Sequence, residues 1–345
     1  MVSHRKPSHS RAEKPPMKSV VLAQVRNPNA HLPAFLAHHL KLCDRVILLD
    51  HNSDVDLRRL RQPRVDVFRI EAARFAKDLF VAYFLKSLEL WRDHDFLFLL
   101  DVDEFLPFST RQETQAFMQE QRKTAVLSFH WRNGFSSAEG PLDGSETLRF
   151  TPWLTPTRKL VYNLKKTGDI LPIEGNHNAR YPLFDSLLVQ IRPKRRDSGL
   201  GLFHLPFIGL AGLRDKLASF PEAEFRSKLM KDMRAVGIAE ERAASLDLTD
   251  EDLMAFIANY RSEPGGIRPG ITAADFEPVP LLAGLQDDIA AQADRLAACP
   301  PIATICDDGR EAALIDRLRR NRVFFNRRLA KAFGPKPGGV YGFRT

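Results

Sequence analysis

Asp101-Val102-Asp103-Glu104 puts three carboxylates into four residues, directly after the apolar run Phe96-Leu97-Phe98-Leu99-Leu100. Acids this close repel one another unless something positive joins them. A hard divalent cation, Mn2+ or Mg2+, is the natural partner, because it prefers carboxylate oxygens and bridges readily to phosphates. The chemistry this predicts is a metal centre with Asp103 as the leading ligand and Asp101 binding either the metal or a ribose. His204 is a further metal or diphosphate contact, since neutral imidazole accepts Mn2+.

The elements that must carry these groups can be read from the pattern. The apolar run ahead of Asp101 predicts a strand buried on both faces of a sheet. Its acids then lie at the C-terminal end, where open α/β sheets bind their ligands. Ser19 to Val25, Val46 to Leu49 and Val65 to Ile70 read as further strands. Between them, His31 to Leu42 and Lys77 to Trp91 carry apolar residues at helical spacing. The β-α-β-β-α-β order predicts an α/β fold with a mostly parallel, Rossmann-like sheet flanked by helices.

Polar clusters after the first two strands would gather on the same edge. There Arg26 and Asn27 could bind a diphosphate or base, and Asp50, with Asn52 beside it, could accept hydrogen bonds from ribose hydroxyls or uracil N3–H. A turn or cap role is the alternative for each. His39 falls on the apolar helix face and reads as a packed core histidine. No GxGxxG or P-loop sequence occurs.

Further along, Thr110-x-x-Glu113 predicts a capping box opening a helix to about Gln121. Strands are expected at 125–129, 160–164, 187–191 and 202–204, and a helix at 210–220. Residues 131–158, rich in Gly, Pro, Ser and Thr, read as a long acceptor loop or lid. After Pro221 the pattern becomes helical, near 222–236, 249–261, 281–297 and 309–333. The expected organisation is a basic disordered tail at 1–18, a catalytic domain at 19–220 and a helical C-terminal region at 221–345.

The chain has 345 residues, 44% hydrophobic and 27% charged, an ordinary globular composition. Its formal charge of +8 is concentrated at the ends: residues 1–18 carry +4 and residues 310–345 carry +8, which leaves about −4 between them. A nucleic-acid-binding main domain is therefore not expected. The basic ends would suit an anionic lipid or substrate, so peripheral contact with the inner face of a membrane through Arg317, Arg319, Arg320, Arg322, Arg327 and Arg328 is one expectation. Leu314, Leu318, Phe324 and Phe325 favour the other, that this helix packs on the domain. No apolar run is long enough to span a bilayer and no secretory leader is legible. Cys43, Cys299 and Cys306 form neither a CxxC pair nor a zinc spacing, which points to a reducing cytoplasm.

Asp101-Val102-Asp103-Glu104-Phe105-Leu106 resembles the DxDEF signature of the family 2-like glycosyltransferases, including the branch related to family 92. Val25-Arg26-Asn27 resembles the first-strand RNE element of that group, with Pro28 in place of the glutamate. His39 with Asp44 to Asp56 resembles its second-strand segment, and Glu174-Gly175-Asn176-His177 and His204-Leu205-Pro206 its later GNH and H-[YF]-P elements, the latter ahead of a helix bearing Lys216. The resemblance spans residues 19–220. It implies a GT-A-like fold, a nucleotide-sugar donor (a UDP-sugar favoured), a glycan or other hydroxyl acceptor, Mn2+ or Mg2+, and transfer with inversion. An inverting transferase needs a general base within reach of the acceptor hydroxyl; Glu174, His177 and Glu104 are the candidates. A nucleotidyltransferase is disfavoured because Arg26-Asn27-Pro28-Asn29 lacks the glycines of a phosphate loop. A non-catalytic binding protein of the same fold is the other alternative.

Overall fold

The computed structural model describes residues 15–27, 30–72, 77–138, 140–167, 170–173, 176–183, 186–191, 193–219, 223–261, 266–304, 313, 335–336 and 340–342. Most of the tail expected at 1–18, the arginine-rich helix at 309–333, Glu174 and Gly175 lie outside the described residues.

The N-terminal half opens with β1 (Ser19–Val25), α1 (Leu32–Leu42), β2 (Arg45–His51), β3 (Val65–Glu71), α2 (Lys77–Ser87) and β4 (Phe96–Asp101). These strands pair in parallel in the order β3-β2-β1-β4, with Gln24 in register with Asp101 and Val25 with Asp50. Alternate residues of each strand serve opposite faces. Val21, Ala23 and Val25 pack with Phe35 of α1, while Val20 and Leu22 pack with Phe80 and Phe84 of α2. Both faces are covered, which is why these strands read as continuous apolar runs.

The chain continues through β5 (Glu104–Phe105), α3 (Arg111–Glu120), β6 (Val126–Phe135), β7 (Leu148–Phe150) and β8 (Arg158–Asn163). Thr110 caps α3 by accepting the Glu113 N–H at 3.2 Å, while the Glu113 carboxylate accepts from Ser109 N–H at 2.8 Å. β8 lies antiparallel between β4 and β6. The long loop expected over 131–158 is interrupted by strand: β6 runs on through Trp131, Asn133 and Phe135, and β7 pairs with it, leaving loop on either side of β7. Gly134 is required there, since a Cβ at this position would stand 2.2 Å from the Phe150 ring.

Next come α4 (Leu164–Thr167), β9 (Leu171–Ile173), β10 (Asn178–Leu183), β11 (Ser186–Ile191), β12 (Arg195–His204) and α5 (Gly209–Ser219). β9, β10 and β11 make a separate antiparallel sheet, whereas β12 runs parallel to β6 and antiparallel to β5. The remainder holds α6 (Ala223–Ala235), α7 (Glu240–Ser245), α8 (Asp250–Ala258), β13 (Glu277–Val279), α9 (Gln286–Ala297), β14 (Pro335–Lys336) and β15 (Val340–Gly342). Strands from beyond residue 221 continue the sheet at both ends, β13 against β7 and β15 against β3. The result is a mixed α/β fold whose central, mostly parallel sheet is flanked by helices. Among the described residues no helix is long and apolar enough to cross a membrane. Cys43 and Cys299 are buried free thiols.

α1 carries an acid-sensitive feature. His38 and His39 are both buried; a His38 ring nitrogen lies 3.0 Å from the Leu106 carbonyl and a His39 ring nitrogen 2.8 Å from that of Phe35. Burial pushes the His38 imidazole down to about 4, opposed by the Leu106 bond and assisted by Lys41. A group depressed in the folded state contributes stability that is complete above its unfolded value near 6.5 and is lost as pH falls toward 4. His38→Gln should flatten the acid limb of a stability–pH profile by about 1 kcal/mol per pH unit between 6.5 and 4. An unchanged slope in urea titrations at several pH values would refute this.

Candidate functional site

The strand end at Asp101 is built by three neighbouring elements. β4 delivers Asp101, the following turn delivers Asp103, and β5 carries Glu104 back into the protein, where it pairs in register with His204 at the end of β12. Leu205 N–H donates to the Asp103 carbonyl at 2.8 Å and locks the β12 exit onto the turn. Carboxylate oxygens of Asp101, Asp103 and Glu104 can all lie within 4.8 Å of one another.

The three acids have different surroundings. Glu104 is fully buried, and its oxygens accept from Asp101 N–H at 2.8 Å and Trp131 Nε1–H at 2.9 Å, with Lys159 Nζ at 3.3 Å. Burial raises the Glu104 carboxyl to about 7, with Lys159 opposing and Asp103 adding to the rise. Its visible role is to hold the turn to β6. Asp101 is paired with Lys77 through Oδ1 and with Lys159 through Oδ2, the latter at 2.6 Å. Asp103 takes Lys216 from α5 at 3.1 Å, and the His204 ring lies 3.8 Å away. Burial alone would raise the Asp103 carboxyl; Lys216, His204 and His31 outweigh it and hold it well below the ordinary carboxylate range.

His204 is oriented by its second nitrogen. Asn133 donates its amide N–H to the Tyr260 carbonyl at 3.0 Å, so its Oδ1, 2.9 Å from His204 Nδ1, must accept. That places the imidazole proton on Nδ1 and leaves the Nε2 lone pair facing the Asp103 carboxylate. Burial pushes the His204 imidazole down to about 3 against the pull of Asp103, so it is neutral at physiological pH. Two acceptors converge at this point, and the Asp103 oxygen facing the imidazole also takes the Lys216 ammonium at 3.1 Å. A carboxylate and a neutral imidazole suit Mn2+ better than Mg2+, whose ligands are oxygens, so the residues fit the first of the two cations the sequence implies.

Trp131 joins the two histidines of the site. Its indole stacks on His204 with ring centres 3.9 Å apart and meets the His177 ring edge-on at 5.7 Å. His177 Nδ1 is bonded to the Arg158 carbonyl, which leaves Nε2 as its acceptor. Burial, with Lys159 acting in the same direction, holds His177 at about 4. Asn176, at a φ of 72°, donates to the carbonyls of Leu99 and Leu160 at 2.8 and 2.9 Å and ties β4 to β8.

The second group of expected contacts lies on the adjoining strand ends. Arg26 is exposed. Asn27 and Asn52 both adopt left-handed backbone, with φ of 55° and 56°, a conformation asparagine tolerates best after glycine. Asn27 N–H donates to Ser53 Oγ at 2.8 Å, and its side-chain oxygen accepts from Asp54 N–H at 3.0 Å. Asp50 is enclosed, accepting from Arg69 Nη1 at 3.0 Å and from Ser53 N–H at 3.1 Å. It shapes this turn from within. Thus Asp101, Asp103, Glu104 and His204 come together, His177 joins them through Trp131, and Arg26, Asn27, Asp50 and Asn52 line the neighbouring ends.

Trp131, Asn133, Lys77 and Lys159 were not legible as site residues. The first two sat in the expected loop. Lys77 and Lys159 lie in a largely buried helix and an ordinary strand, with nothing in their local sequence to mark them. Gln24 belongs with them: it is buried beside Asp101, and neither amide atom has a partner among the described residues.

No protein-family model matches the sequence, and no curated protein matches it. Among solved structures, the chain is similar to the mannosyltransferase PcManGT of Pyrobaculum calidifontis, in complex with GDP-Man and Mn2+. The identity is 11% and the TM-score 0.35, over 91% of this chain and 82% of that one.

Proposed function

We propose that the protein is a glycosyltransferase that moves a sugar from a nucleotide-sugar, a UDP-sugar favoured, to a hydroxyl on a glycan or other acceptor, with inversion. The observation that carries this reading is the convergence of the Asp103 carboxylate and the His204 Nε2 lone pair at the end of β4, 3.8 Å apart. Asp103 and His204 would hold the divalent cation. When bound, that cation neutralises charge developing on the departing nucleoside diphosphate. Asn133 keeps His204 in the ligating tautomer, and Trp131 fixes the plane of its ring.

The acceptor hydroxyl must lose a proton as it attacks the anomeric carbon. His177 is suited to take it, because Nδ1 is committed to Arg158 and Nε2 is unprotonated at neutral pH. Glu174 is the alternative base. Glu104 is less suited, since its oxygens are engaged inside the protein. Arg26 and Asn27, which follow β1, would contact the diphosphate or base, because open α/β sheets bind ligands at the C-terminal ends of their parallel strands.

The test is thermal stabilisation by UDP- and GDP-sugars with and without Mn2+ or Mg2+. A ligand at a hundred times its Kd adds about 2.7 kcal/mol to native stability. A metal-dependent rise in Tm with one donor class, followed by transfer to an acceptor, is expected. Absence of any shift with every nucleotide-sugar tried would exclude the reading.

A further inference from the structure

The charges around Asp101, Asp103 and Glu104 are unequally committed. Lys216 contacts Asp103 at 3.1 Å and the Pro206 carbonyl at 3.2 Å, and its ammonium lies 5.1 Å from the Phe207 ring centre and 5.9 Å from that of Tyr260. Lys159 is 1% exposed and reaches both Asp101 and Glu104. Those two lysines are locked by several partners each. Lys77 differs. Its carboxylate partner among the described residues is Asp101, which Lys159 already pairs at 2.6 Å, and its side chain retains 13% exposure. It also stands at the start of α2, the positively polarised end of a helix, where an anion is favoured over a cation.

A second observation falls at the same place. Gln24 stands in register with Asp101 on the neighbouring strand, so both side chains leave the sheet on one face. This is the face on which α2 packs, since Leu22 and Leu99 join Phe80 in one core cluster. Gln24 is 6% exposed, and its amide nitrogen and oxygen both lack a partner among the described residues. A buried amide left unpaired costs on the order of 1–3 kcal/mol. A ligand offering oxygen atoms would satisfy the N–H half of that amide.

We infer that Lys77 and Gln24 contact the diphosphate of the nucleotide-sugar, forming an anion-binding pocket on the α2 face of the β1 and β4 ends. This rests on the nucleotide-sugar reading above and names residues that supply N–H donors to the phosphate oxygens from the protein itself. Lys77 turns from Asp101 to the phosphates, and Lys159 stays behind to balance Asp101 and Glu104. The Gln24 amide N–H donates to a phosphate oxygen.

The experiment is calorimetry of the full chain with UDP, GDP and inorganic pyrophosphate in EDTA, repeated with Mn2+. Lys77→Ala should weaken binding of the diphosphates in EDTA about tenfold or more, the scale of one charged hydrogen bond, and Lys77→Arg should restore most of it. Gln24→Met removes the unpaired amide, so it should raise the ligand-free Tm while weakening the same ligands. Uridine and guanosine affinity should not change in either variant. Wild-type affinity in both Lys77→Ala and Gln24→Met, each folded by circular dichroism, would overturn the pocket while leaving the transferase reading intact. Wild-type protein that binds none of the diphosphates, with or without Mn2+, would overturn the transferase reading and the pocket with it.

Discussion

Asp103→Asn should abolish sugar transfer, by about 10^3-fold or more in kcat/KM, the scale of removing one group that stabilises developing charge in a transition state. The substitution keeps the size of the side chain and leaves the Leu205 N–H bond to the Asp103 carbonyl untouched. What it removes is the negative charge. Burial alone would raise the Asp103 carboxyl, but the Lys216 ammonium beside it outweighs that cost, so the charge is present at working pH. Asparagine cannot provide it, and the His204 Nε2 lone pair then faces a neutral amide. Lys216 loses its carboxylate but keeps the Pro206 carbonyl at 3.2 Å and the ring faces of Phe207 and Tyr260, so the fold survives the change. The checks are steady-state kinetics beside a thermal melt. Full transfer by a folded Asp103→Asn protein would exclude a metal held at this position.

The parts of the site that lie along one segment were readable from the sequence. Five apolar residues running into Asp101 and Asp103 announce a strand end, and the turn residues around Asn27 and Asn52 announce two more. Those three ends are adjacent because parallel strands joined by helices put their C-termini on one edge. What escaped was set by contacts distant in sequence. Glu104 looks like the third member of an open acidic trio, yet β5 pairs with β12 and carries it inward to Trp131. Trp131 and Asn133 fell in a stretch whose Gly, Pro, Ser and Thr content argues against a strand, and tertiary pairing with β12 overrode that propensity. Lys77 and Lys159 come from α2 and β8 and meet at Asp101 only once the sheet order places β8 beside β4. No local spacing records such a meeting.

Asp50 provides the second large expected effect, and it separates a contact with ligand from support given within the fold. Asp50 and Arg69 are 0% and 1% exposed and pair at 3.0 Å; Arg69 also donates to the Ser53 carbonyl at 3.0 Å and reaches the Ala303 carbonyl at 3.4 Å. Burial raises the Asp50 carboxyl, and the bonds from Ser53 and Arg69 only partly restore it. Removing one member leaves an uncompensated charge in the interior, so Asp50→Ala and Arg69→Met should each cost about 3–5 kcal/mol in urea unfolding. Replacing both with apolar residues should cost well below the sum, because neither charge is then stranded; the cycle should show a coupling of about 2–3 kcal/mol. Nucleotide affinity should fall as a consequence, since Ser53, held by Asp50, accepts the Asn27 N–H at 2.8 Å and so fixes the end of β1. A direct ribose or uracil contact would behave in the opposite way: Asp50→Ala would keep its stability and lose affinity alone. Urea titrations of the four proteins beside calorimetry with UDP distinguish the two, and the enclosed geometry of Asp50 makes the loss of stability the expected result.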